Sequence, residues 1–114
     1  MNEFEFNDAS EVSKHRESAT ETKICKLAEA QGWIQYKFNS MGKRAVPDRI
    51  FLKNGYVFFI EFKSEGRKAT PLQEHEHKKL RDQNFSVHVV DTPKKGEGVL
   101  QVENEKERKN SGTY

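Results

Sequence analysis

The residues best suited to chemistry are two carboxylates and an amine that flank a turn. Asn54-Gly55 lies between two apolar, aromatic-rich runs, and this dipeptide predicts a two-residue hairpin loop because a type I′ turn needs positive φ at both positions. The pairing register of that hairpin places Asp48 directly opposite Glu61. Lys63 lies two residues beyond Glu61 and therefore points to the same face of the sheet.

Two carboxylates that face each other across a sheet repel, by roughly 3 kcal/mol at about 5 Å and an effective dielectric constant of about 20. Lys63 offsets only one of the two negative charges. A hard cation such as Mg²⁺ fits the residual charge, because it takes oxygen ligands and keeps waters for chemistry. The alternative is a solvated Asp-Glu-Lys cluster without function. Residues 56–60 argue against simple exposure, since apolar side chains occupy both faces of that strand.

Length and composition indicate one small domain in a reducing compartment. The chain has 114 residues, of which 33% are hydrophobic, and its net charge is only +2, so no overall positive field indicates nucleic acid. A single cysteine, Cys25, excludes an internal disulfide framework. No apolar run approaches the roughly 20 residues of a membrane helix, and the acidic N-terminus lacks the basic region of a secretory signal. We expect a cytoplasmic protein with no membrane partner.

Hydrophobic periodicity and turn residues predict the domain boundaries and the elements. Residues 1–9 show no periodicity and are expected to form a poorly ordered arm, while residues 103–114 are almost wholly polar and are expected to be a disordered tail. The domain between them spans residues 10–102. Its predicted elements are a helix ending at Gln31, a strand over 33–38, the hairpin over 48–63, a helix over 70–83 and a strand over 85–90.

The two predicted helices carry polar residues with both structural and functional interpretations. Thr70, Pro71 and Gln73 predict a capping box at the start of the second helix. Glu21 lies at the edge of the apolar face of the first helix, where it either reaches the carboxylate pair or forms a rim charge.

The connection after the hairpin predicts how the last strand is oriented. A strand, a helix and a strand of one sheet make a right-handed crossover, so residues 85–90 should lie parallel to the strand over residues 56–63. The predicted fold class is α/β, with a mixed sheet flanked by helices.

Basic residues gather in the loops on both sides of the hairpin. Lys43 and Arg44 lie in the 39–46 loop, and Arg67 and Lys68 lie in the loop after the hairpin. We predict that these four side chains contact the phosphate backbone of a nucleic acid, although such charges also form solvated faces.

A zinc site is a weaker prediction. His75, His77, His88 and Cys25 supply suitable ligand types, but side chains at positions i and i+2 of a helix point apart. We expect the histidines to be surface and strand residues, and Cys25 to pack within the first helix.

The order of the elements and the motifs on them resemble the VRR-NUC family of the PD-(D/E)XK nuclease superfamily, in its small stand-alone, phage-type form. The resemblance covers about residues 18–92 and implies a restriction-endonuclease-like αβββαβ core. Asn84 stands where a glycine is usual, which affects a helix cap and not the chemistry. The residues that carry the resemblance are Glu21, Gly42, Pro47-Asp48, Glu61-Phe62-Lys63, Gly66, Gln73 and Val89-Val90.

The resemblance implies a role for each residue of the motif. Asp48 and Glu61 match the acids that bind Mg²⁺ or Mn²⁺, and the backbone carbonyl of Phe62 matches a further metal ligand. Lys63 matches the lysine that orients or activates the attacking water. Two more residues match positions of the same catalytic site, Glu21 and Gln73. Glu21 is expected to be a further metal ligand, which completes a second metal site or orients the first.

These roles predict a Mg²⁺- or Mn²⁺-dependent DNA endonuclease that hydrolyses phosphodiester bonds. The resemblance further implies a homodimeric, Holliday-junction-type resolvase whose two sites act on a four-way DNA junction. One alternative is a sequence-specific or general duplex nuclease on the same fold. Another is a DNA-structure-binding module that does not cut. The carboxylate pair disfavours this alternative, because two negative charges do not help a protein that only binds DNA.

Overall fold

The structure is a computed structural model that describes residues 9–38 and 45–111. The predicted α/β class and the αβββαβ order are both confirmed, and a third helix follows them. No helix within these ranges is long and apolar enough to cross a membrane. The elements are α1 (Ala9–Ala30), β1 (Ile34–Lys37), β2 (Arg49–Lys53), β3 (Tyr56–Phe62), α2 (Pro71–Asp82), β4 (Ser86–Val90) and α3 (Pro93–Ser111).

The four strands form one mixed sheet in the order β1-β2-β3-β4. Strands β1, β2 and β3 pair antiparallel, whereas β3 and β4 pair parallel. The hairpin loop is confirmed, because Asn54 and Gly55 have φ values of 50° and 80° and Lys53 pairs with Tyr56. Because β3 and β4 pair parallel, the prediction that the strand before α2 and the strand after it run in the same direction is confirmed.

The main core lies between the sheet and the helices α1 and α3. Phe58, Ile60 and Phe62 alternate along β3 and are fully buried on this face, and Phe58 stacks on Phe51 of β2 with ring centroids 4.7 Å apart. Helix α2 lies against the opposite face of the sheet, next to β4. Strand β3 is thus covered on both sides, which holds the polar residues at its end in a fixed position. The helical residues of the core are Ile24, Cys25 and Ala28 of α1 and Leu100 of α3.

Helix α2 begins and ends as the sequence predicts. Thr70 Oγ1 accepts a hydrogen bond from the Gln73 amide at 3.2 Å, and Gln73 Oε1 accepts one from the Thr70 amide at 2.9 Å. Pro71 occupies the first turn, where its missing N–H costs nothing. Asn84 follows the helix with φ of 69°, a left-handed conformation that asparagine tolerates.

The predicted disorder of residues 103–114 is wrong for residues 103–111, which form the second half of α3. This second half of α3 docks through polar contacts, whereas Leu100 in the first half packs in the apolar core. Asn104 Oδ1 accepts a hydrogen bond from Trp33 Nε1 at 2.7 Å, and Asn54 donates one to the buried Glu107 at 3.1 Å. A polar composition was therefore not a sign of disorder here. Residues 112–114 and residues 1–8 of the predicted arm lie outside the described residues.

Gly96 of α3 packs directly against Ile24 of α1. A Cβ atom at this position would lie 2.4 Å from Ile24 Cγ1, and Ile24 is fully buried. We expect Gly96→Ala to lower the free energy of unfolding by about 1–3 kcal/mol, because overpacking outweighs the better helix propensity of alanine. The matched control is Gly98→Ala, since nothing lies within 4 Å of that position, and it should stabilise the protein by up to about 1 kcal/mol. Thermal denaturation of both variants measures the difference, and equal stability would contradict the packing argument.

Candidate active site

The candidate site lies where β2 begins and β3 ends. Asp48 precedes β2, whereas Glu61 and Phe62 close β3. The predicted register is confirmed, because the last ladder pair joins Arg49 to Ile60 and Asp48 lies beside Glu61 one position further on. The Phe62 amide donates a hydrogen bond to Asp48 Oδ2 at 2.7 Å. This bond holds the Asp48 carboxylate against the end of β3.

Asp48 shows the electrostatics of a crowded carboxylate. Burial, followed by the charge of Glu61, raises the pKa of Asp48 from 3.8 to about 6. The hydrogen bond from the Phe62 amide lowers this pKa but does not outweigh the other two causes, and the charges of Glu21 and Glu17 raise it further. The site therefore carries negative charge that the surrounding protein does not balance, and a bound cation would favour its ionised form.

Glu61 is the buried member of the pair, with 3% of its surface exposed. Its Oε2 accepts a hydrogen bond from Gln73 Nε2 at 3.1 Å. Gln73 therefore lies in the site while its other amide atom caps α2. His77 lies one turn after Gln73 on α2, and the expectation that it is a surface residue is wrong. It is fully buried, and its Nε2 lies 3.8 Å from Glu61 Oε1.

Lys63 starts the loop that follows β3. Its backbone N–H donates a hydrogen bond to the Val90 carbonyl at 2.9 Å, at the end of the parallel pairing of β3 and β4. The side chain is half-buried, and its charge acts on the carboxylate of Glu17, whose pKa it lowers. The amine thus stands beside the acidic cluster, as the alternation along β3 predicts.

Glu17 is a third acid of the site, and sequence reasoning missed it. Burial raises the pKa of Glu17, while the charge of Lys63 and a hydrogen bond from Ser64 oppose that rise. Ser64 Oγ donates that bond to Glu17 Oε2 at 3.4 Å. The available signal was the spacing, because Glu17 precedes Glu21 by about one helical turn and so shares its face of α1.

Glu21 is held by an ion pair at the side of the site. Its Oε2 accepts a hydrogen bond from Arg49 Nε at 2.6 Å, and both side chains are largely buried. Arg49 Nη1 also donates to Gln35 Oε1 of β1 at 3.0 Å. The charge of Glu21 reaches Asp48, but the guanidinium of Arg49 occupies its carboxylate. Of the two acids on α1, Glu17 is the one beside Lys63.

The loop after Lys63 carries two of the four predicted phosphate contacts. Arg67 and Lys68 are both exposed. The turn before them is held by the Gly66 amide, which donates to Asp91 Oδ2 at 2.8 Å and has φ of 84°. Glycine is therefore the residue that suits this turn. The other two predicted contacts, Lys43 and Arg44, lie outside the described residues.

The donor atoms of the site fit a hard divalent cation. Asp48 and Glu61 supply carboxylate oxygens and Phe62 supplies a carbonyl, which are the ligand types of Mg²⁺ and Mn²⁺. Glu61 Oε1 is buried and accepts no hydrogen bond within the described ranges, so its lone pairs are available. In the described part of the chain, no three His, Cys, Asp or Glu side chains form a metal-binding group. Two acids and a carbonyl suit an ion that keeps several waters.

The residues considered for a zinc site are dispersed. His75 is exposed on α2, whereas His88 contacts Glu103 of α3 at 2.5 Å. Cys25 is buried in α1, and burial raises its pKa to about 11. A thiol in that state is a packing group and a poor metal ligand.

Comparisons with known proteins extend these observations. No family model matches the chain. The chain is 41% identical over 78 residues to "Putative nuclease p44" of Acyrthosiphon pisum secondary endosymbiont phage 1, a match that covers 68% of this chain and 84% of that protein. A solved structure described as a VRR_NUC domain matches with a TM-score of 0.71 and 27% identity, over 75% of this chain and 95% of that one. The relative found by sequence and the solved structure found by fold therefore indicate the same family.

Proposed function

Because this chain belongs to the VRR-NUC family of nucleases, we propose that it is a divalent-metal-dependent endonuclease that hydrolyses phosphodiester bonds in branched DNA. The observation that carries this proposal is the pairing of Asp48 with the buried Glu61. Burial and the charge of Glu61 together raise the pKa of Asp48 to about 6. A protein that only bound DNA would gain nothing from this arrangement, whereas a metal-dependent hydrolase requires it.

In this proposal Asp48 and Glu61 hold the cation, together with the carbonyl oxygen of Phe62. When bound, Mg²⁺ or Mn²⁺ supplies Lewis-acid polarisation of the scissile phosphate and a more acidic water. Lys63 donates hydrogen bonds that orient the attacking water and stabilise the charge that develops on the phosphate oxygens. Gln73 keeps the Glu61 carboxylate in place through its 3.1 Å hydrogen bond. The water attacks in line, so that a new phosphorus–oxygen bond forms as the bond from phosphorus to the leaving sugar oxygen breaks, and no covalent intermediate with the protein forms.

The two acids of α1 have different roles in this proposal. The Glu17 carboxylate attracts the Lys63 ammonium electrostatically and orients that amine. Glu21 acts through Arg49, since its carboxylate is engaged by that guanidinium at 2.6 Å. In this proposal Glu21 therefore supports the site indirectly and not as the metal ligand that the sequence predicted, and Glu17 is the acid of α1 that acts within the site.

We assign the DNA contacts to Arg67 and Lys68, and to Lys43 and Arg44 on the basis of sequence. Contacts to phosphates bind DNA with a strong dependence on salt and little dependence on sequence. Preference for a four-way junction then comes from a homodimer that presents two sites related by a two-fold axis. Both the junction preference and the dimer follow from the family resemblance, and we place the reaction in the cytoplasm.

The test is cleavage of a labelled four-way junction, a flap and a linear duplex with Mg²⁺, Mn²⁺ or EDTA. We expect paired cuts on the junction that require the metal. Lys63→Ala should reduce the rate about 10²–10³-fold, the usual cost of losing one donor to the transition-state charge. Lys109→Ala, an exposed lysine at the end of α3, is the matched control and should cut normally.

The other outcomes identify the alternatives. Equal cutting of all three substrates would replace the junction preference with a general nuclease, and cuts at one sequence would indicate a sequence-specific nuclease. Binding without cutting in either metal would indicate a DNA-structure-binding module. Cutting by Lys63→Ala at the wild-type rate would remove Lys63 from the mechanism.

A further inference from the structure

His77 is a fully buried imidazole to which the proposed mechanism gives no role. Its exposed surface is 0%, yet neither ring nitrogen has a hydrogen-bond partner among the residues that the structure describes. Buried polar groups without partners are rare, and each one calls for an explanation. Packing alone is a poor explanation, because an apolar side chain would fill the same space without the loss of hydration.

The nearest polar atom is itself without a partner. Nε2 of His77 lies 3.8 Å from Oε1 of Glu61, and that oxygen is also buried and accepts no hydrogen bond from any described residue. The distance is longer than a hydrogen bond, and an approach of about 1 Å would bring it into range. One small movement would therefore satisfy a donor and an acceptor at the same time.

The other oxygen of the same carboxylate is already held from α2. Gln73 Nε2 donates to Glu61 Oε2 at 3.1 Å, and Gln73 Oε1 is tied to the Thr70 amide at the start of the helix. Residues four apart lie above one another on a helix face, so Gln73 and His77 form two successive steps on the side of α2 that meets Glu61. Each carboxylate oxygen thus faces one side chain of this helix.

We propose that His77 is a positioning residue for Glu61, whose Nε2–H donates to Oε1 and sets the orientation of the carboxylate toward a bound divalent cation. The proposal rests on the proposed function, since Glu61 is a metal ligand there. Hydrogen-bond partners of a metal ligand fix its orientation, and their loss typically lowers metal affinity or activity 10–100-fold. His77 and Gln73 together would do this from a single helix.

Two substitutions of similar volume separate positioning from packing. His77→Leu fills the space without a donor, whereas His77→Gln places an amide N–H near the position of Nε2. The matched control is His75→Leu, because His75 lies on the same helix but is exposed. The probe is Mn²⁺ alone, titrated by calorimetry without DNA, together with thermal denaturation in EDTA and cleavage of the four-way junction.

We expect His77→Leu to bind Mn²⁺ about 10–100-fold more weakly than the wild type, to cut more slowly, and to melt in EDTA at the wild-type temperature or above it. His77→Gln should recover Mn²⁺ affinity to within a few-fold, and His75→Leu should match the wild type throughout. Retained stability with weakened metal binding is a result that a packing role does not produce.

Wild-type Mn²⁺ affinity in His77→Leu would overturn the proposal and leave the nuclease assignment intact. A His77→Leu variant that loses stability in EDTA, with no recovery of metal affinity in His77→Gln, would assign His77 to packing and overturn it equally. If the wild type neither binds Mn²⁺ nor cuts DNA, the proposed function and this inference both fail.

Discussion

Replacing Asp48 with asparagine is expected to slow DNA cleavage about 10³-fold or more, because a ligand that stabilises the transition state by several kcal/mol is lost. The same substitution is expected to make the metal-free protein more stable. The pKa of Asp48 rises from 3.8 to about 6 through burial and the charge of Glu61, which corresponds to about 1–2 kcal/mol of destabilisation at pH 7 after allowance for solvent screening at this partly exposed carboxyl. Asparagine removes that charge and still accepts the hydrogen bond from the Phe62 amide.

The sign of the pH dependence follows from the direction of this shift. The folded-state pKa of Asp48 lies above the unfolded value, so folding binds a proton between them. The destabilisation by ionised Asp48 is absent below about pH 4 and complete above about pH 6. The melting temperature of Asp48→Asn in EDTA should therefore exceed that of the wild type by an amount that grows across this interval.

Asp82→Asn is the matched control, because Asp82 is an exposed residue of α2 that pairs with Lys78. It should change neither cleavage nor stability appreciably. Full Mg²⁺-dependent cleavage by Asp48→Asn would show that the proposed mechanism is wrong. A less stable variant would instead contradict the account of repulsion between the two carboxylates.

The largest expected effect on stability comes from Glu103 of α3, on the other side of the sheet. Glu103 is fully buried and accepts hydrogen bonds from the Tyr56 hydroxyl and from His88 Nε2, both at 2.5 Å. Glu103→Ala should lower the free energy of unfolding by about 3 kcal/mol, because it leaves two partly buried partners without an acceptor. Chemical denaturation measures this loss.

The contribution of Glu103 also has a defined pH dependence. Burial by itself would raise the pKa of Glu103, but the hydrogen bonds from His88 and Tyr56 outweigh it, and the pKa lies below its ordinary value of 4.5. A lowered pKa means that the stabilisation is present above pH 4.5 and is lost as the pH falls through the folded-state value. The difference between the wild type and Glu103→Ala should narrow below pH 4.5.

Glu105→Ala is the control on the same helix. Glu105 is exposed, and within the described part of the chain its one ion pair is with the exposed Arg108. It should cost less than about 1 kcal/mol. If both substitutions cost the same, the buried network does not stabilise the docking of α3.

Much of the framework of the site was predictable because it depends on near neighbours. Positive φ at Asn54 and Gly55 requires this turn type, and alternation then places Asp48 beside Glu61 and Lys63 beyond it. Thr70 and Gln73 define the start of α2 through a capping box within one turn. The matching of Asp48, Glu61, Lys63 and Gln73 to site positions needed only these local elements in the right order.

The environment of those residues was not predictable, because it depends on contacts between residues far apart in the chain. Glu17 and Glu21 have the same type and lie on the same face of α1, and only the packing of α1 against the sheet pairs Glu21 with Arg49 and brings Glu17 to Lys63. His77 lies among polar residues of α2, and only the approach of α2 to β3 buries it beside Glu61.

The sequence by itself determined the hairpin, its register and the capped helix, because turn conformation, side-chain alternation and helix caps are set by residues next to one another. Only the tertiary structure decided that residues 103–111 fold as part of α3, where Asn104 and Glu107 are satisfied by groups on the α1 to β1 connection and in the turn between β2 and β3. It alone also decided which acid of α1 reaches the site and which histidine faces Glu61. Burial of a polar group is favourable only when its partner is in place, and that partner is supplied by the fold.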